Sequence, residues 1–325
     1  MKKIVGILAA AAVAASAFAA DLSAGVRLAG DLFSYKGASG DVKALMLKNE
    51  NQFWHAPLTL TISSDRAGGT FKFTDGDNGS TFTTGKWAIW FKPFDMLKVN
   101  LGTIDKSMNV ETIDYGGRLI NYDAWGASLD VNVDAFSMTL SLITGKGDYW
   151  FSKPNGGDVS VGQLNFYAQY GADFGTISAM FDAKDKFNTL SFGVGYKNTF
   201  DPVTIFVDAA FYKAATNGIG ADFDIVFAQD ALNIQAYVQW KATDLSNIGT
   251  SSMTLLTLAK FAYTLDKGTV YLYFKDANIM ASNFGCTIKP GFTSSVGSMA
   301  YEIAVQFDIA STVDISVPVN FKVNF

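Results

Sequence analysis

The end of the chain constrains its fold more than any other feature. From Val313 to Phe325 the odd positions read Val, Ile, Val, Val, Phe, Val, Phe, and the even ones Asp314, Ser316, Pro318, Asn320, Lys322 and Asn324. Successive side chains of a strand point to opposite faces, so this segment has one greasy face and one wet face. It is long for a globular strand and suits a tilted strand crossing a bilayer, which takes about 9–11 residues.

The same two-residue period recurs along the chain. Leu22, Ala24, Val26 and Leu28 alternate with Ser23, Gly25, Arg27 and Ala29. Val203, Ile205, Val207, Ala209 and Phe211 alternate with Thr204, Phe206, Asp208, Ala210 and Tyr212. Leu232 to Lys241 and Ser298 to Phe307 behave alike. Helical spacing does not produce these registers. Connections alternate short and long: tight turns fall near Asp95, Asp134, Ala172–Phe174, Thr199–Pro202, Gln229–Ala231 and Asp266–Gly268, and longer polar stretches include Lys146–Asp158 and Thr243–Ser252. That is the wiring of an up-and-down barrel.

Composition matters where it removes alternatives. Mean hydropathy is +0.17 and 14% of residues are aromatic. Met1, Lys2 and Lys3 precede an apolar run from Ile4 to Ala15 and small residues at Ala17 and Ala19, the pattern of a secretory leader cut after Ala19. Beyond it no apolar run is long enough for a membrane helix, which excludes a helical membrane protein. The expected organisation is a signal peptide over 1–19 and a barrel over 20–325. Losing Lys2 and Lys3 leaves 23 basic against 30 acidic residues, a formal charge of −7. That balance argues against nucleic-acid binding and fits a lumen slightly more tolerant of cations. With Cys286 alone, no intrachain disulfide can form.

The expectation is therefore all-β: a transmembrane antiparallel up-and-down β-barrel of about 16–18 strands, with 18 the better count and weak strands near Thr70 and Ala281. Such a ring is too wide for side chains to fill and encloses water, and strands from Leu22 to Phe325 leave no span for a plug. With the last strand running inward, Phe91, Tyr170, Tyr196, Phe227, Tyr263 and Phe325 form an aromatic girdle at the periplasmic rim. Pro318 lacks a backbone N–H, so the ladder should bulge or open there.

Phe321, Val323 and the terminal Phe325 resemble the C-terminal signal of bacterial outer-membrane barrels, which the barrel-assembly machinery reads; Asn320 and Pro318 depart from its usual pattern. Trp87–Gly102 looks like the strand-turn-strand units of general porins, and Ala20–Leu28 resembles porin-like barrels of spirochaetes. The resemblance implies passive diffusion of small hydrophilic solutes through the outer membrane, no cofactor, outer-membrane lipid as surroundings, and a homotrimer. It also implies that the third external connection, Thr103–Asn121, folds into the lumen; a solvated surface loop is the other reading of this stretch. Its charges are Asp105, Lys106, Glu111, Asp114 and Arg118, and the facing wall residues of suitable parity are Arg27, Lys92 and Lys98. Facing rows of charge are how pores select ions. A surface-exposed structural or adhesive barrel without transport is the alternative.

Enzymes of this architecture resemble one another in needing a catalytic His, and His55 stands without a Ser or Asp at a recognisable spacing, so no catalytic role is assigned. Asp75–Gly79 lacks the Glu that would complete a calcium loop, and Gly218-Ile-Gly220 lacks the third Gly of a dinucleotide fingerprint and reads as a loop. No metal site is expected.

Overall fold

The computed structural model describes residues 19–47, 58–75, 82–107, 119–144, 151–152, 160–184, 187–249, 251–276, 278–281 and 285–324. Their strands are β1 (Ala19–Lys36), β2 (Asp41–Leu47), β3 (Leu58–Ser63), β4 (Ala67–Asp75), β5 (Phe82–Phe94), β6 (Leu97–Ser107), β7 (Asn121–Val133), β8 (Phe136–Thr144), β9 (Phe151–Ser152), β10 (Ser160–Val161) and β11 (Gln163–Ala172). They continue as β12 (Gly175–Lys184), β13 (Thr189–Phe200), β14 (Val203–Lys213), β15 (Asn217–Gln229), β16 (Leu232–Ala242), β17 (Met253–Leu265), β18 (Gly268–Asp276), β19 (Cys286–Val296), β20 (Met299–Ala304), β21 (Gln306–Ile309) and β22 (Val313–Asn324).

Twenty of these form one antiparallel sheet; β9 and β10 make a separate small hairpin. The sheet closes on itself, because β1 pairs with β22 from Gly25↔Asn324 to Tyr35↔Ile315. Two wall positions are each built from two segments. β3 and β2 pair with successive parts of β1, and β20 and β21 both lie between β19 and β22. Taking each such pair as one reduces the twenty strands to 18 positions round the ring among the described residues. Closing the ring through β1 and β22 removes the free edges an open sheet would present to lipid, although β2 pairs with β1 alone among the described residues. Thr70 lies in β4, whereas Ala281 falls in the bend between β18 and β19 and carries no strand.

Two irregularities flank Pro318. On one side the β1 register shifts between Asp31 and Ser34, where Asp31 faces Pro318. On the other, the ladder to β22 breaks between Ile303↔Val319 and Gln306↔Ser316, leaving Val305 between β20 and β21. Val305 turns its N–H to the Pro290 carbonyl, 2.9 Å away. Because the N–H and C=O of a strand residue face the same neighbour, the missing proline donor accounts for one of these breaks and not for both.

Tight turns at 95–96, 134–135, 173–174, 201–202, 230–231, 266–267 and 297–298 share one rim. Asp134 and Asp230 adopt positive φ, 49° and 52°, which short polar side chains tolerate best among non-glycine residues. Near this rim Phe91, Tyr170 and Tyr263 are exposed, Tyr196 and Phe227 half-buried, and Tyr196 donates to the Phe174 carbonyl at 2.6 Å. Phe325, the sixth expected member of the girdle, lies outside the described residues, as do Met1–Phe18 and His55.

Burial is inverted relative to a water-soluble protein. Phe192, Val194, Val207, Phe211, Phe223, Val238, Phe261 and Leu272 are exposed, while Ser141, Asn165, Asp182, Asp208, Asp222, Asp224 and Asp276 are buried. Each large apolar side chain moved out of water is worth about 1.5–3 kcal/mol, so this exterior calls for a hydrocarbon surround.

Candidate functional site

The inner face follows from strand parity. On β14 the exposed positions Val207, Ala209 and Phe211 alternate with the buried Phe206, Asp208 and Ala210, and the registers carry this parity to β15 and β16. Two parts of the inner wall differ.

The first runs from β6 to β16. Several of its polar groups are bonded to one another: Asn100 donates to Asp130 at 2.7 Å and Ser128 at 3.0 Å, and Thr139 donates to Asp130 at 2.8 Å, while the buried Asn165 amide makes no side-chain hydrogen bond among the described residues. On β15, Asp224 accepts from Gln235 at 2.7 Å and Asp222 from the Tyr237 hydroxyl at 3.2 Å, which itself accepts from Gln239 at 2.6 Å. Asp208 faces Asp222 in register, and the three carboxylates are only 0–3% exposed. Beside them lies an apolar cluster inside the ring: Ile104, Ile143, Tyr167, Met180 and Ala210 from the wall, joined by Leu119 and Ile120 from the chain entering β7. The Tyr212 hydroxyl of β14 donates to the Leu119 carbonyl at 3.0 Å. Leu119 leaves the wall at β7 and meets it again at β14, so the end of the third external connection crosses the interior.

The second part, β17 to β21, is open. A recess of about 460 Å³ is lined by Lys260, Tyr271, Tyr273, Lys275, Lys289, Glu302 and neighbouring polar residues. Lys260 and Lys289 lie over the Tyr271 ring at 5.4 and 5.6 Å, and Lys289 is 3.0 Å from Glu302, which also accepts from the Tyr271 hydroxyl. Three ammonium groups against one bonded carboxylate leave this surface basic.

The expected site residues fall in several places. Asp105 and Lys106 are in β6, in register with Asp123 and Tyr122, so the third connection is shorter than expected, 108–120 rather than 103–121. A strand that rises above the membrane is wet on both faces and loses the alternation that marks it in sequence. Glu111, Asp114 and Arg118 lie outside the described residues. Lys92 and Lys98 both lie over Trp90, at 5.6 and 5.0 Å. Lys98 is six residues from Ile104 along β6, about 20 Å at the usual rise, so this pair sits well below the level of Leu119. Arg27 is in register with Lys322, and Phe321 and Val323 lie in β22. Gly218 and Gly220 are in β15, not in a loop. The sequence reading missed the roles of Lys260, Lys275 and Lys289 and of the β15 carboxylates. Parity marks all of them as inward, but their juxtaposition depends on register.

No protein-family model and no curated protein matches the sequence. Solved structures do. Pseudomonas aeruginosa OpdO superposes with a TM-score of 0.62 at 10% identity, covering 94% of this chain and 97% of that one. Pseudomonas aeruginosa OccK11 (OpdR) gives 0.60 at 10% over 94% and 95%, and a BenF-like porin from Pseudomonas fluorescens Pf-5 gives 0.57 at 8% over 94% and 98%. The fold is a porin barrel. Beyond that shared porin architecture, at such identities the likeness says nothing of which solute passes.

Proposed function

We propose that this chain is a bacterial outer-membrane porin, exported with residues 1–19 removed and passing small hydrophilic solutes by passive diffusion. The observation that carries the reading is the closed ring of 18 positions whose apolar side chains face out and whose polar ones face in. A ring of this width leaves room for water inside. Phe321, Val323 and Phe325 serve as the signal for the barrel-assembly machinery, and a homotrimer is the assembly implied by resemblance to general porins.

The constriction is the third external connection. Leu119 and Ile120 bring its end inside the ring, which supports Glu111, Asp114 and Arg118 as the charges that solutes meet there, with Asp105 and Lys106 at its upper rim. Lys92 and Lys98, both over the Trp90 ring, form a basic station nearer the periplasm, and Arg27 is a further basic wall position, in register with Lys322. The net charge of −7 leans towards cations, but its distribution leans the other way: the β14–β15 carboxylates are buried, whereas the β17–β19 lysines line open space. We therefore assign the open path a preference for anions. Liposomes carrying the refolded protein test the pore: swelling in isotonic arabinose with little in a large oligosaccharide is expected, and absence of swelling in either overturns the porin reading.

A further inference from the structure

Gly193, Ala210 and Gly220 are in-register inner-wall positions with little or no side chain, in a row that Tyr167 and Met180 continue with large ones. Tyr167↔Met180, Met180↔Gly193, Gly193↔Ala210 and Ala210↔Gly220 run straight across β11 to β15. Larger side chains at Gly193, Ala210 and Gly220 would project into the lumen. Instead the wall is thinned to a shelf, and Leu119 lies on it. A Cβ built at Gly220 would come within 2.9 Å of Leu119 Cδ2, so a larger residue there would push the Leu119 side chain aside. The Tyr212 hydroxyl fixes the Leu119 backbone at the same place, so both halves of the residue are held.

We infer that Gly193, Ala210 and Gly220 form a dedicated seat for Leu119, and that this apolar latch sets the size limit of the channel. The inference rests on the porin reading for its consequence, though not for its geometry. The seated residue closes the part of the interior between β6 and β15 and leaves solutes the wall from β17 to β22. Here the narrowing is held in place by a side chain fitted to missing side chains, independent of the charges at the constriction.

The geometry is tested by cross-linking and the consequence by conductance. In a Cys286→Ala background, the pair Leu119→Cys and Gly220→Cys should form a disulfide in the membrane-embedded barrel, seen as a reducible mobility shift, and leave conductance as in the parent. Gly220→Leu and Leu119→Ser should each raise single-channel conductance by about 1.5- to 2-fold, since roughly half of the wall is released. Heat-modifiable electrophoretic mobility reports that each variant is an assembled barrel, and Leu119→Ser, which leaves the wall untouched, serves if Gly220→Leu does not assemble. Failure to cross-link overturns the seat. Cross-linking with unchanged conductance in Leu119→Ser overturns its role in size selection, and cross-linking in a protein that never conducts overturns the porin reading while leaving the seat in place.

Discussion

Two stretches of the same inner wall share their parity and differ in almost everything else. Between β6 and β16, carboxylates and amides are buried, several of them bonded to each other, and an apolar cluster fills part of the interior. Between β17 and β21, the buried clusters are small, Leu256 with Leu258 and Ala262 with Tyr271 and Ala304, and lysines border open space. The contrast teaches that the inner face of a wide barrel is no single environment. One arc is packed like a protein core, and only the other is free to set what passes.

The largest effect that should separate the two arcs is on stability. Met180→Ala removes a side chain 1% exposed within the apolar cluster and should cost about 2–5 kcal/mol, read by urea unfolding of the barrel in lipid vesicles. Thr293→Ala in the open arc, at the lining of the recess, should cost much less, and equal losses would erase the distinction. Next comes Tyr237→Phe, which withdraws a buried hydroxyl from Asp222 and Gln239 and should cost about 1–3 kcal/mol by the same unfolding measurement.

Selectivity should show the opposite ranking. Lys260→Gln with Lys289→Gln should lower the chloride-to-potassium permeability ratio about 2- to 5-fold, the equivalent of roughly 0.5–1 kcal/mol for exposed charges. Asp224→Asn, buried beneath its neighbours, should shift the reversal potential less. A larger shift from Asp224→Asn would mean that the packed arc also faces the permeating ions.

The smallest expected effect is local. In the loop after β16, the Ser246 hydroxyl and N–H bond Asp244 at 2.6 and 2.9 Å and hold its carboxyl below the usual range. A depressed carboxylate contributes its order above the ordinary pKa of about 3.9 and loses it as pH falls through the lower value. Proteolysis within 243–252 should therefore quicken only under strong acid, and Asp244→Ala should remove that dependence.

Much of the barrel was readable from residue order. Thr204, Phe206, Asp208, Ala210 and Tyr212 share the inward face as the alternation required, and a break in the ladder at Pro318 followed from its missing donor. Local periodicity reports which face a residue takes, so these features needed nothing else. The candidate site was less legible because it depends on register between strands. Lys260, Tyr271 and Lys289 lie on three strands and meet only through the β17–β18–β19 pairing. Gly220 read as part of a loop because a strand without side chains shows no alternation, and its purpose becomes visible only with Leu119, a hundred residues away, lying across it. Asp105 and Lys106 were misplaced because hydrated strand ends look like connections.

Planar-bilayer recording of the refolded wild-type protein under a potassium chloride gradient tests the central claim most directly. The account predicts a steady open level and a reversal potential of the sign set by chloride. An electrically silent bilayer containing assembled barrels would contradict the water-filled interior, and a reversal set by potassium would contradict the division between a packed acidic arc and an open basic one.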